Sequence, residues 1–486
     1  MPYFGVKPAD EFTSKDLNGS ELILDADADT TITADTDDQI DIRIAGADDF
    51  QFTANTLTAL SGSTIATNTI AETTGASGVT VDGLLIKDST AAFADGAVAT
   101  PSITNTGDTN TGIYFPAADT VGVVAGGTEQ FRFGSNPIPG GSKNVVTNGS
   151  MTVNQRAISA LALDGANQYT VDRWRVQEAT SAGAIQVNQS TTVPAGAGFA
   201  SSLHIDVTTA DSSIAAGDFV LIYQSIEAQN LQHLAYGNAA AKTLSLSFWV
   251  RSPKSGTHAV ALYQSDGSRH YIREYTVTSA DTYEYITVTF PGDASGTINN
   301  DTGVGLDVYF PLVTGSTYQN TADTWAAGLD WSTSSAVNCM DNAANNFYLT
   351  GVQLEVGSVA TDFAHEDIGT TLQKCQRYFE RVDLAQVSGE FFMNGYAYST
   401  TFLVGVHHYR IKKRAAPTIT FSAAATWRNF HENTNTVCSG IGVQSAASVN
   451  SVGVYGQVGS GLTAGNGGTL SRDATDTTFI EISSEL

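Results

Sequence analysis

Three groups of residues carry chemistry by type and spacing. Asp25, Asp27 and Asp29 alternate with Ala26 and Ala28. On a strand, side chains two apart share a face, so these carboxylates would line one side. Ca²⁺ takes about six to eight oxygen ligands, which several copies of such a strand would supply. The EF-hand pattern fails, because Thr30 and Thr36 stand where that loop needs glycine and glutamate. The competing reading is a solvated acidic strand whose charge protects a sheet edge. The second group is aromatic. Trp249, with Tyr263, Tyr271, Tyr275, Tyr283 and Tyr285 on expected neighbouring strands, would form a platform for sugar rings. Trp325 and Trp331 sit in a polar loop beyond it. The competing reading is that these rings pack the protein interior. The third group is Arg410, Lys412, Lys413 and Arg414, the one positive cluster of the sequence. It would attract an acidic polysaccharide or lipopolysaccharide phosphate, or serve as a solvated, salt-bridging strand end. His407 and His408 point to opposite faces of a strand and make no metal clamp. No phosphate loop, GxSxG, HExxH or close Ser/His/Asp arrangement occurs, so no catalytic residue and no cofactor is expected.

Strands must position these residues. Leu244, Leu246, Phe248 and Val250 alternate with Ser245, Ser247, Trp249 and Arg251, a period of two with one buried face. Similar runs at 258–264, 271–277, 283–290, 305–311 and 346–356 are separated by turn residues such as Ser265–Ser268 and Pro291–Asp293. Many short strands so spaced predict a β-sandwich over residues 143–367. Leu372, Cys375, Phe379 and Val382 follow helical spacing and predict a helical linker over 368–382. Residues 383–486 return to strands, at 390–399, 401–409, 418–422, 453–458 and 478–482, with 459–468 an exposed loop.

Residues 21–142 contain a repeat at a fixed offset of 81 residues. Asp38–Ile42 falls on Asp119–Val123, and Gly46, Asp48, Phe50, Phe52 and Asn55 fall on Gly127, Glu129, Phe131, Phe133 and Asn136. Each unit reads as a strand, a turn at Gly46 and a second strand with Phe50 and Phe52 on one face. Such units cannot bury an apolar face alone. A thin β-rich shaft closed by other copies of the chain is therefore expected.

Charge narrows the function classes. The 486 residues hold 49 acids and 23 bases, a net charge of −26, and only 15% of residues are charged. So few cations under that total exclude nucleic acid and anionic membrane surfaces as partners. The charge is uneven: residues 1–142 carry 20 acids and 5 bases, residues 143–376 carry 21 and 10, and residues 377–486 carry 8 of each. No run of 18 apolar residues exists, so no membrane insertion is expected. The start lacks the basic and apolar regions of a secretory signal. Cys339, Cys375 and Cys438 form no metal-ligand spacing and, being odd in number, predict no disulfide framework.

Met1–Asp16 is similar to the virion-attachment start of bacteriophage tail-fibre proteins. Gly107–Asp119, followed by Gly126–Phe133, resembles a recurrent tail-fibre shaft segment. Asn144–Met151, Tyr169–Trp174 and Thr243–Ser252 resemble the carbohydrate-binding-module-like jelly roll of such fibres. Phe347–Gly357, continuing through Thr361–His365 to Cys375–Phe379, is the most specific match, and Lys413–Thr418 through Leu486 resembles the C-terminal β-domain of the family. The resemblance implies an all-β, elongated, homotrimeric fibre: attachment segment 1–20, repeat shaft 21–142, jelly-roll sandwich 143–367, helix 368–382 and C-terminal β-domain 383–486. It implies a protein made in the host cytoplasm and built into the virion. The N-terminus would join other tail or head proteins, and a host-surface glycan would be the outer partner. In related fibres the shaft segment often precedes a self-cleaving chaperone; here the sandwich follows, so no autoproteolysis is expected. Adhesion without catalysis is the leading expectation. A head-attached fibre without receptor role is the alternative. A polysaccharide depolymerase is the third, which the absence of a long regular β-helix repeat disfavours.

Overall fold

The computed structural model describes residues 20–67, 93–133, 143–384, 390–432, 434–473 and 478–486. Almost all of the expected attachment segment 1–20, and Asn136 of the repeat, lie outside the described residues. The chain is all-β and divides into two compact units, one ending at Ala94 and one beginning at Asp95.

In the first unit β1 (Leu22–Ile23), β2 (Thr31–Thr33), β3 (Ile40–Ile44), β4 (Ala47–Thr53) and β5 (Thr56–Ala59) form an antiparallel sheet in chain order. The β3–β4 turn has two residues, Ala45 at φ +51° and Gly46 at φ +81°. A two-residue turn with both residues left-handed matches the twist of a hairpin. The polar face of this sheet is the buried one. Asp41 is buried and accepts from the Gln39 and Gln51 amides at 2.6 and 3.0 Å. Ile40, Ile44, Phe52 and Leu57 stay exposed.

The second unit opens with β6 (Ile103–Asn105), β7 (Asp108–Tyr114), β8 (Val121–Ala125) and β9 (Thr128–Phe133), again antiparallel in chain order. The 81-residue offset is a conformational copy. Strands β3 and β8 superpose in sequence end to end, Asp38 and Asp119 both have positive φ, and the ladder shifts after Ile42 and after Val123.

The sandwich strands follow: β10 (Leu161–Leu163), β11 (Asn167–Tyr169), β12 (Arg175–Ala179), β13 (Ala184–Ser190), β14 (Ser202–Thr209), β15 (Phe219–Glu227) and β16 (Leu244–Arg251). Then come β17 (Gly256–Gln264), β18 (Arg269–Val277), β19 (Tyr283–Phe290), β20 (Val304–Thr314), β21 (Trp325–Ala327) and β22 (Asn346–Val356). They build a six-stranded sheet, β10-β13-β14-β22-β16-β19, and a seven-stranded sheet, β11-β12-β15-β20-β17-β18-β21. Leu244, Leu246, Phe248 and Val250 of one sheet meet Val260, Leu262, Val308 and Phe310 of the other, all with 0–1% exposure. Burial of this kind, at roughly 25 cal/mol per Å², supplies the driving force of the layer.

A short helix, α1 (Ile368–Gln376), starts at Asp367, whose side chain accepts from the Gly369 and Thr370 amides. The helix predicted over 368–382 stops there. Phe379 and Val382 belong to β23 (Phe379–Asp383), which pairs with the last strand. A three-to-four spacing of apolar residues is a weak helix signal over so few turns, and the waiting strand partner overrides it.

The C-terminal domain adds β24 (Phe391–Ala397), β25 (Phe402–His408), β26 (Thr418–Phe421), β27 (Trp427–His431) and β28 (Thr434–Val437), then β29 (Gly440–Ser445), β30 (Ser451–Gln457), β31 (Gly467–Arg472) and β32 (Phe479–Ser483). Its sheets run β23-β32-β26 and β28-β27-β31-β24-β25-β30-β29 around Trp427, Leu470, Ile480 and Ile482. Strands β27, β28, β29 and β31 are absent from the sequence expectation; Gly, Asn and Thr are frequent in β28, β29 and β31. Ion pairs tie this domain to the sandwich: Arg156 to Glu485 at 3.0 Å, Arg377 to Glu227 at 2.6 Å, and buried Arg173 to Glu485.

Candidate functional site

The outward face of the six-stranded sheet carries a row of side chains set by register. Asn188 on β13 opposes His204 on β14, His204 opposes Tyr348 on β22, Tyr348 opposes Arg251 on β16, and Arg251 opposes Tyr283 on β19. Adjacent strands lie about 4.8 Å apart, so five strands make a row about 19 Å long. Tyr348 is its centre. The His204 imidazole stacks on its ring at 4.3 Å and 6°, the Arg251 guanidinium carbon lies 5.0 Å from its centroid, and the Tyr283 ring lies 6.3 Å away. All five residues are half-buried.

Neighbouring groups fix the row. His204 Nε2 lies 2.6 Å from Asn346 Oδ1, and the Tyr283 hydroxyl donates to the Thr192 carbonyl at 2.7 Å. Burial pushes the Tyr283 phenol up from its ordinary value. The loop between β13 and β14 therefore borders the row along one side. Beyond it Trp249 packs on Tyr285, its cross-strand partner, at 5.3 Å, with Tyr285 exposed. Gly351, at φ +62° in a bulge of β22, lets Phe199 and Trp249 close over the backbone; a Cβ there would lie 2.6 Å from Phe199 Cζ and 3.0 Å from Trp249 Cδ1. With His204 on one side of the Tyr348 ring and Arg251 on the other, Tyr348 offers a ligand its edge and hydroxyl, the exposed Tyr285 offers a ring face to the apolar side of a sugar, and the imidazole, guanidinium and amides can hydrogen-bond hydroxyls.

The expected platform is divided three ways. Trp249 and Tyr283 belong to this face. Tyr263 lies on the outer face of the other sheet, half-buried. Tyr271, and with it Tyr275, points into the core, at 4% and 6% exposure. Trp325 caps the sandwich edge, its indole N–H donating to the Pro291 carbonyl at 2.8 Å and its ring packed on Tyr271. Trp331 is buried against Phe219, Tyr309 and Tyr318. Strands β17 and β18 pair in the opposite sheet from β16 and β19, which sequence adjacency hides. His204, Tyr348, Arg251 and Asn188 were not among the expected ligand-contacting residues. Alternation of Asn346, Tyr348 and Thr350 with Phe347 and Leu349 gives their phase, but not their neighbours.

On the outer face of the seven-stranded sheet Tyr223 and Tyr309 stack at 4.9 Å, and Trp331 packs on Tyr309 at 5.7 Å. Asp307 lies beside them at 5% exposure, accepts from Ser225 Oγ at 2.5 Å, and is pushed up to about 6 by burial. A cleft of about 460 Å³ near Arg273, Glu274, Thr289 and Val359 contains none of the expected residues, and Arg273 there is paired with Asp323 at 2.6 Å.

The basic run is a correction. Lys413 is fully buried, donating to Glu380 at 2.7 Å and to the Gln376 carbonyl at 2.5 Å, and burial pushes its amine down. Arg414 donates to the carbonyls of Thr302, Ser484 and Glu485 at 2.7–2.9 Å. Arg410 and Lys412 alone of the four are exposed, and Arg410 leans to Glu380 at 3.7 Å. The run turns through a loop, so its charges do not share one surface.

The Asp25, Asp27 and Asp29 carboxylates do converge, with oxygens within 4.8 Å of one another. They do so from a bend between β1 and β2, with Ala28 at φ +63°, and not from one face of a strand. Thr30 holds the Asp25 carboxyl below its usual range through hydrogen bonds. Cys339, Cys375 and Cys438 are buried and free; burial pushes the Cys339 and Cys438 thiols up to about 12. Among the described residues no helix is long and apolar enough to cross a membrane.

No protein-family profile matches the chain, and no curated protein matches it. Solved structures similar to it include the enzymatically active domain of tailspike protein 4 from bacteriophage CBA120, at 12% identity and TM-score 0.25, over 44% of this chain and 22% of that one. A family 61 carbohydrate-binding module solved with β-1,4-galactotriose matches at 10% identity and TM-score 0.22, over 44% of this chain and all of the module. A xylan-binding family 22 module matches at 15% identity and TM-score 0.22, over 41% of this chain and all of the module. Likenesses at these scores place no residue of this chain on a sugar.

Proposed function

We propose that this chain is a structural tail-fibre protein of a bacteriophage that adheres to a host-surface glycan without cleaving it. The observation that carries the reading is the row Asn188–His204–Tyr348–Arg251–Tyr283, an aromatic and polar strip across an accessible sheet face. The resemblance of Phe347–Gly357 to the jelly roll of phage fibres supports the virion setting. The five residues of the row include no carboxylate, whereas glycoside hydrolysis needs two, about 5–9.5 Å apart. Homotrimerisation would cover Ile40, Ile44, Phe52 and Leu57, which one chain leaves exposed.

The test uses the full chain. It is expected to bind susceptible cells and a subset of glycans on an array, to leave polysaccharide chain length unchanged, and to scatter light as three times 51.0 kDa. Tyr348→Ala is expected to weaken binding about tenfold or more, about 1.4 kcal/mol, because it removes the ring that positions His204 and Arg251. Binding to no glycan and no host surface overturns the adhesive role, shortened polysaccharide overturns the non-catalytic one, and a monomer mass removes the trimer.

A further inference from the structure

We propose that the glycan recognised by this row is acidic, its carboxylate held by Arg251. The proposal rests on the adhesive reading above and adds the ligand class. Arginine offers five N–H donors in a planar fork that matches a carboxylate. Arg156, Arg173, Arg175, Arg269 and Arg273, the other arginines of the sandwich, each donate to a protein oxygen at 3.5 Å or closer. Arg251 is different. Among the described residues its one charged neighbour is Asp281, at 3.9 Å and 61% exposed, beyond hydrogen-bonding distance. Its Nε is buried without a partner, as are those of Arg173 and Arg175, so the donors open to a ligand are the terminal amino groups of a side chain that is 28% exposed.

The guanidinium is nevertheless held in place. It lies over the Tyr348 ring, and the same ring is stacked by His204. A cation seated on an aromatic face is oriented without consuming its donors. Arg251 is also the one permanently charged side chain of the five, in a region whose remaining charge is strongly negative. Of the carboxylates that face the row, Asp206 opposite Asn346 lies towards one end, and Asp281 lies 3.9 Å from Arg251 and 61% exposed, free to swing away when an anion takes its place. The strongly acidic surroundings make a local cation necessary for any acidic polymer to dock. In the basic run Arg410–Arg414, Lys413 and Arg414 are bound internally, and the exposed Arg410 and Lys412 belong to the C-terminal domain and not to this sheet face.

The experiment compares oligogalacturonates, oligoglucuronates and oligomannuronates with their methyl esters by calorimetric titration of the full chain. At least one acidic oligomer is expected to bind tenfold or more tightly than its ester, with affinity falling as salt rises. Arg251→Gln is expected to bring the acid-to-ester ratio near one, and Arg251→Lys to leave it between the two. The wild-type ratio and its salt dependence need no variant, so a misfolded substitution does not decide the result. Equal affinity for acid and ester, an acid preference untouched by Arg251→Gln in a folded variant, or binding of sulfated but not carboxylated oligomers overturns the assignment. Neutral glycans bound in a Tyr348-dependent way, with no acidic one bound, overturn it and leave the adhesive reading standing. Binding of no glycan at all overturns both.

Discussion

A carboxylate at 5% exposure in an aromatic layer has a definite pH signature. Burial raises Asp307 to about 6, against about 3.9 in an unfolded chain. Below pH ~4 the group is protonated in both states and costs nothing. As pH rises through 4 to 6 the unfolded chain ionises first, so stability falls, by about 3 kcal/mol at most once pH exceeds 6. Asp307→Asn keeps an acceptor for Ser225 and removes the titration. Urea denaturation is expected to show the variant more stable than the parent at pH 7.5 and little different at pH 4; a gap of the same size at both pH values contradicts the account. His407 titrates in the opposite sense. Burial holds it down to about 4, so its contribution is lost as pH falls from 6.5 toward 4. The comparison at each pH between parent and variant isolates Asp307 from it. Lys413 makes a complementary point: a charge run read as a sticky surface includes a fully buried cation, paired with a fully buried Glu380. Residue type was legible; exposure was not.

At the scale of elements, the two hairpins related by 81 residues share a bulge and a two-residue left-handed turn, but fill it differently. The second copy uses Gly126 and Gly127, while the first places Ala45 at φ +51° before Gly46. A non-glycine residue in that region costs roughly 1 kcal/mol or more. Ala45→Gly is therefore expected to stabilise the first hairpin by up to ~1 kcal/mol, read as slower proteolysis within residues 20–67; faster cleavage would show that chain entropy outweighs the relieved strain. Strand alternation also explains what was readable in the sandwich. Strands Tyr283–Phe290 and Asn346–Val356 have the bounds their period-two patterns predict. The pattern says which residues share a face of one strand. It says nothing of which strand lies alongside, and so Tyr271 and Trp249 were grouped although they belong to different sheets.

Across the larger unit, the sandwich and the C-terminal domain are coupled through few residues. The Glu485 side chain is 4% exposed and receives Arg156 and Arg173, the latter lying 3.6 Å over the Tyr378 ring. Removing one partner of a buried pair costs about 3–5 kcal/mol, because the remaining charge stays buried and unpaired. Glu485→Ala is expected to split calorimetric unfolding of the full chain into separated transitions; a single transition at the parent temperature would show that the domains are held otherwise. The sequence by itself determined the all-β class, the 81-residue repeat, the phase of the sandwich strands and the uneven charge, because these follow from composition and local periodicity. Only the tertiary structure decided that Tyr348, His204 and Arg251 meet, that Lys413 is buried, and that 379–383 is a strand. These depend on contacts between segments distant in the chain, such as Leu203 of β14 with Leu349 of β22, and non-local register is set by the whole packed sheet rather than by any one strand.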